Sequence, residues 1–243
     1  MSPKEEISPV SKINVCFSYP FVKPKEPANL VIFCEGNAAV PERELPRYLK
    51  QAMDYAKAYQ VYLVPGRFVL KGRLCMTLLS PAGKPVALQK ACHLNLLHHA
   101  SLEPGSAIEV FDTELGAICL IADVDIYHPE VLRSAAMLGA ETAIVSQYFD
   151  LYDVNVTRIM SGCWDMAQQN QMYVLGAHNA GCCVCAPCAL TEDESGFLLK
   201  PQAEFPALAT VYPHKLQKLR EQQNLLSMIN PDFCAASASL LDR

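Results

Sequence analysis

The chain has 243 residues, 51% of them hydrophobic and 19% charged, a composition that suits one large globular domain with a filled core and excludes a disordered or fibrous chain. With 20 basic against 25 acidic residues it carries a formal charge of -5 and no basic cluster, which removes the footprint that nucleic acid requires. MSPKEEISPV has no apolar signal core and no apolar run is long enough to span a bilayer, so the expectation is a cytoplasmic protein without nucleic-acid or membrane partners.

In chain order, a polar segment (1–12) precedes ANLVIFCE (28–35), an apolar run of strand length that ends at Glu35. Residues 46–59 place Leu49, Ala52, Met53 and Ala56 at helical spacing, with Pro46 in the first turn where it is tolerated. VYLVPG, RFVL and RLCMTLLS follow as short strands, and the turn Pro81, Ala82, Gly83, Lys84 leads into a strand ending at Lys90. AIEVFDTELGAICLIAD reads as two strands joined at 114–116, followed by a helix from Pro129 to Met137 that stops at Gly139. Residues 142–146 form the next strand, 154–169 a helix, MYVLGAHN a strand, and the cysteine-rich run through Leu190 another. GFLLK, the strand 207–211 and a helix over 213–226 close the chain. Strands alternate with helices twice over, which predicts sheets faced by helices on their outer sides.

Eleven cysteines sit largely inside apolar runs, the pattern of small buried hydrophobes rather than of a secreted disulfide framework. Within CCVCAPC, read as one strand, Cys183 and Cys185 share one face and Cys182 and Cys188 the other, so four ligands cannot converge; no metal and no cofactor is expected. His98 and His99 stand before a Pro-Gly turn and can reach a pocket, although exposed loop histidines are commonplace; His178 reads as a strand residue.

Glu35, Lys90 and Asp123 each follow an apolar strand, and charges at strand ends either enter solvent or converge at one mouth of a sheet. Spacing alone does not choose between these. The surroundings do, because residues 28–234 resemble the nitrilase (carbon-nitrogen hydrolase) superfamily. ANLVIFCE is similar to the family's glutamate strand, with Cys34 in a position commonly held by proline. GKPVALQKACHL is similar to its glycine turn, lysine and His-Leu segment. EVFDTELGAICLIADVDIYHPEVLRSAAMLGAE matches the family at Gly116, Asp125, Pro129, Glu130, Gly139 and Ala140, and thereby sets Asp123 where the family has its nucleophilic cysteine. WDMAQQNQMYVLGAHNAG and TVYPHKLQKLREQQ resemble later family segments.

The resemblance implies a four-layer α-β-β-α sandwich formed by a single domain over 1–243, a homodimer joined through 131–137 and 216–233, and Glu35 and Lys90 in the roles of general base and oxyanion stabiliser. Two departures are legible besides Asp123. INVCFSYPFVKPKEP leaves no room for a long first helix, and no clear fourth carboxylate appears, Glu103 being a weak candidate.

A carboxylate nucleophile would form an adduct from which the carboxylate, the weaker base, leaves before the amine, so covalent amide or nitrile hydrolysis by Asp123 is disfavoured. Two carboxylates beside one ammonium would also leave one of Glu35 and Asp123 resisting ionisation. Two functions follow from the resemblance: a pseudoenzyme whose Glu35, Lys90 and Asp123 grip a small amide-, nitrile- or carboxylate-bearing molecule, or a hydrolase in which Asp123 or Glu35 activates water while Lys90 stabilises the oxyanion. A substitute thiol is not expected: Cys119 lies about 13 Å down the strand from Asp123 at roughly 3.3 Å per residue, and Cys34 and Cys92 should point elsewhere.

Overall fold

Period-two burial is what assembles this chain into layers. In the computed structural model, which describes residues 10–34, 39–95, 98, 100–149 and 156–228, the strands β1 (Ile13–Ser18) and β2 (Leu30–Phe33) send Val15, Phe17, Leu30 and Ile32 to one face and Cys16, Val31 and Phe33 to the other. The second face is covered by α1 (Leu45–Tyr59), whose Ala52, Tyr55 and Ala56 are buried against it, with the Tyr55 ring edge-on to Phe33 at 5.1 Å between centroids. β1, β2 and β3 (Tyr62–Val64) run parallel. β4 (Arg67–Leu70), β5 (Arg73–Leu79) and β6 (Pro85–Lys90) extend this sheet on its β5 side, and β13 (Ala207–Val211) closes it antiparallel to β1.

The other sheet has the order β12-β11-β10-β9-β8-β7, built from β7 (Phe111–Thr113), β8 (Gly116–Ala122), β9 (Thr142–Gln147), β10 (Tyr173–His178), β11 (Gly181–Cys185) and β12 (Phe197–Gln202). Its inner face, with Ile118, Leu120, Ala122, Ile144 and Leu175, packs on Val15, Phe17, Ile32, Met76 and Leu78 of the first sheet. Its outer face, with Cys119, Ile121, Val145 and Val174, is covered by α2 (Pro129–Met137) and by the helix 156–170. That helix comprises α3 (Val156–Ile159), a π-helical turn Met160–Trp164, and α4 (Asp165–Asn170). The result is the four-layer α-β-β-α sandwich expected from the sequence.

Several predicted boundaries shift for identifiable reasons. The cysteine-rich strand stops at Cys185, because Pro187 cannot donate to a ladder and Cys188 opens a 3-10 turn; Cys188 therefore leaves the strand face assigned to it. Cys182 faces the inter-sheet core while Cys183 and Cys185 face the helices, as alternation requires. The final helix, α5 (Pro213–Gln222), is shorter than expected and is followed by a 3-10 turn, Leu225–Met228. Between β1 and β2 no helix occurs, in keeping with the short N-terminal segment. No helix among the described residues is long and apolar enough to cross a membrane.

The β7–β8 hairpin turns on Gly116 at φ +92°, where a side chain would be strained and its Cβ would run into the Glu141 carboxylate.

Candidate active site

β8 delivers the chain to Asp123 and the backbone then breaks alternation. Asp123 has φ +53°, a left-handed conformation that aspartate tolerates better than most residues, and it opens a 3-10 turn, Asp123–Tyr127, that leads through His128 into α2. The side chain is turned into the protein at 1% exposure. Its Oδ2 accepts a hydrogen bond from the Asn95 amide at 2.7 Å and lies 3.7 Å from His98 Nδ1. Its Oδ1 accepts from the Tyr148 backbone N–H at 3.3 Å and lies 3.6 Å from Arg67 Nη1.

Arg67 is also 1% exposed. It stands opposite Met76 in the β4–β5 ladder, and Met76 belongs to the inter-sheet core, so the guanidinium crosses from the first sheet to a carboxylate at the end of the second. Its Cζ lies 5.9 Å from the Tyr148 ring centroid. Tyr148 is in turn set by Asn179, whose amide accepts from the Phe149 N–H at 2.8 Å and donates to the Phe149 carbonyl at 2.9 Å.

Two residues on, Asp125 is equally buried and serves the loop after β6. Its Oδ2 accepts from the Cys92 N–H at 2.8 Å, and its Oδ1 accepts from the His93 N–H at 2.7 Å and meets His93 Nδ1 at 2.9 Å. Burial outweighs these bonds and pushes its carboxyl above the ordinary carboxylate range. Asn95 and His98 follow on the same loop, so Asp125 fixes the start of the segment that brings them to Asp123.

The three residues singled out in the sequence fare differently. Asp123 lies at the centre of this group of side chains. Lys90 is exposed and stands opposite Cys75, on the sheet face turned toward α1 rather than toward the second sheet, and it makes no ion pair with Asp123. Strand alternation explains this, since Ala87 and Gln89 take the inward positions of β6. Glu35 lies outside the described residues. Glu103 pairs with Arg73 at 2.8 Å on the surface and leaves Asp123 without a second carboxylate from that loop. His98 does reach the site; His99 lies outside the described residues.

Sequence reasoning missed Arg67, Asn95 and Tyr148. Arg67 carried a usable signal, a lone charge inside the apolar VYLVPGRFVL, whereas Asn95 and the Tyr148 amide carried none.

Neither neighbouring thiol is primed to attack. Burial, with Cys182 beside it, pushes the Cys34 thiol far above its ordinary value, and burial together with the Asp125 carboxylate pushes Cys92 up to about 11.

No family model and no curated protein matches the sequence. Solved structures do match. A carbon-nitrogen hydrolase from Helicobacter pylori is 17% identical, with a TM-score of 0.75 over 96% of this chain and 99% of that one. A branch 10 nitrilase-superfamily member from Saccharomyces cerevisiae is 16% identical, with a TM-score of 0.68 over 89% and 96%. The fold is that of the nitrilase superfamily. An amidase of the same superfamily from Nesterenkonia, 17% identical, superimposes with a TM-score of 0.64 over 88% of this chain and 97% of its own. In one structure of that amidase the active-site cysteine carries the acetamide moiety of fluoroacetamide. Within this fold, Asp123 and Arg67 form a buried ion pair between the two sheets.

Proposed function

We propose that this chain is a single-domain member of the nitrilase superfamily, over residues 1–243, in which thiol-mediated carbon-nitrogen hydrolysis has been replaced by a non-hydrolytic role. The observation that carries this reading is the buried Arg67–Asp123 pair at the end of β8. Both carboxylate oxygens of Asp123 are already engaged, one by Asn95 and the other by the Tyr148 N–H, with Arg67 beside it. A carboxylate held by a guanidinium and two donors is a poor nucleophile, and the leaving-group argument removes whatever covalent chemistry remains. The raised thiols of Cys34 and Cys92 supply no replacement.

In this reading the mouth formed around Asp123, with Glu35 as its proposed further member and without Lys90, binds a small amide-, nitrile- or carboxylate-bearing molecule without turning it over, and the protein works in the cytoplasm. The chain acts as a homodimer joined through 131–137 and 216–233. Large apolar side chains left exposed at Met137, Leu138, Leu225 and Met228 support that pairing, because a second copy would cover them. A monomeric mass in solution at micromolar concentration would remove the dimer from the proposal.

The deciding experiment assays purified protein against short aliphatic amides and nitriles, alongside Asp123→Cys and Asp123→Asn. The expected result is no turnover by the native chain. A second reading has one observation in its favour, His98 Nδ1 at 3.7 Å from Asp123 Oδ2, the makings of a carboxylate-imidazole pair that activates water. Native turnover that Asp123→Asn abolishes would establish that reading and overturn the first.

A further inference from the structure

We propose that His93, His128 and Glu130 form a binding site for a divalent transition-metal cation of the zinc class, bridging the loop after β6 to the start of α2. The residues come from two distant parts of the chain: His93 follows β6, while His128 caps α2 and Glu130 lies in its first turn. Glu130 Oε1 is 3.3 Å from His128 Nδ1 and 3.7 Å from His93 Nε2, and the donor atoms of all three lie within 4.8 Å of one another. A tetrahedral zinc with bonds of about 2.0–2.2 Å to nitrogen and oxygen needs donor–donor edges of roughly 3.3–3.5 Å. Two edges are therefore close to that spacing before any ion arrives.

The orientation of His93 is the second support. Its Nδ1 lies 2.9 Å from Asp125 Oδ1, and Asp125 also accepts two backbone N–H groups, an arrangement that favours the proton on Nδ1 and leaves Nε2, 3.7 Å from Glu130 Oε1, to serve as the metal donor. A buried carboxylate behind the imidazole is the arrangement that fixes a metal-binding tautomer and raises its basicity. The N-terminal end of α2 repels a cation, and Glu130 with Asp125 offsets this.

The rings of His93 and His128 are stacked, 3.5 Å apart and 4° from parallel, so their lone pairs lie in parallel planes. Capture requires the rings to fan open. Asp125 tethers His93, which leaves the movement to His128, a third exposed, and to the outer Glu130. Two imidazoles and one carboxylate leave a fourth position to water. The bound ion would tie the loop that presents Asn95 and His98 to the helix that follows Asp123. Nothing in this depends on the nitrilase reading.

The test is a cobalt(II) titration of the full-length reduced chain, followed by visible absorption and zinc competition, with His128→Phe and Glu130→Gln in parallel. Phenylalanine at 128 keeps a ring against His93 while removing the donor; equal melting temperatures establish that both variants are folded. The proposal expects one cobalt per chain, ligand-field bands without a thiolate charge-transfer band, displacement by zinc, and affinity at least tenfold lower in both variants. No binding, a thiolate charge-transfer band, or unchanged affinity in the folded variants would overturn it.

Discussion

Asp123 and Asp125 are two residues apart and equally buried, yet the protein supports them by different means. Asp125 is met by two backbone N–H groups and an imidazole, all from a loop that it organises. Asp123 is met by one backbone N–H, an amide and a guanidinium that reaches across from the opposite sheet. The first arrangement draws on one loop and does not cross between the sheets. The second couples two sheets through a pair of full charges, and a partner that leaves costs more there because the remaining charge stays in the core.

Arg67→Met should therefore show the largest effect, a loss of about 3–5 kcal/mol in chemical denaturation, since it strands the Asp123 carboxylate. The double variant Arg67→Met with Asp123→Leu should recover most of that loss, within about 1–2 kcal/mol of the native chain, because the Asp123 carboxylate is then removed along with the guanidinium. If the double variant is as unstable as the single one, the pair is not the coupling element. Asp125→Ala should cost about 2–4 kcal/mol, the price of leaving the Cys92 and His93 amides without their acceptor. Its loss should appear first as faster amide exchange in the loop after β6. Asp123→Asn should cost a comparable amount, about 2–4 kcal/mol, because its single oxygen can serve only one of the Asn95 and Tyr148 donors and the buried Arg67 guanidinium loses this counter-charge.

The smallest effect is chemical rather than thermodynamic. Near neutral pH Cys34 and Cys92 should react slowly with iodoacetamide, the thiolate of each being scarce. Asp123→Cys should add one faster thiol, activated by the adjacent guanidinium and identifiable by peptide mapping. A native thiol that outpaces it would return a cysteine nucleophile to consideration.

The layers were legible because the apolar run 28–35, helical spacing at Ala52 and Ala56, and the turns at Gly116 and Gly139 are short-range facts of the chain, whereas the strand Ile13–Ser18 was not read from the sequence. The contacts of Asp123 were not. Arg67 and Asp123 are far apart in sequence, and the facing of two sheets, not a motif, brings them together. Lys90 failed to reach Asp123 for a related reason: a strand-end charge was visible, but the face it occupies depends on its register with Cys75. The cluster of His93, His128 and Glu130 was equally hidden, since each histidine stands alone in its own segment.

The left-handed backbone at 123 separates the pedestal from what stands on it. β8, the turn into α2 and the Asp125 anchor also hold that corner through contacts that do not involve the Asp123 side chain. Exchanging residue 123 together with its Arg67 partner would thus leave the architecture beneath as it was, which makes this corner a natural place for a fold to change occupation.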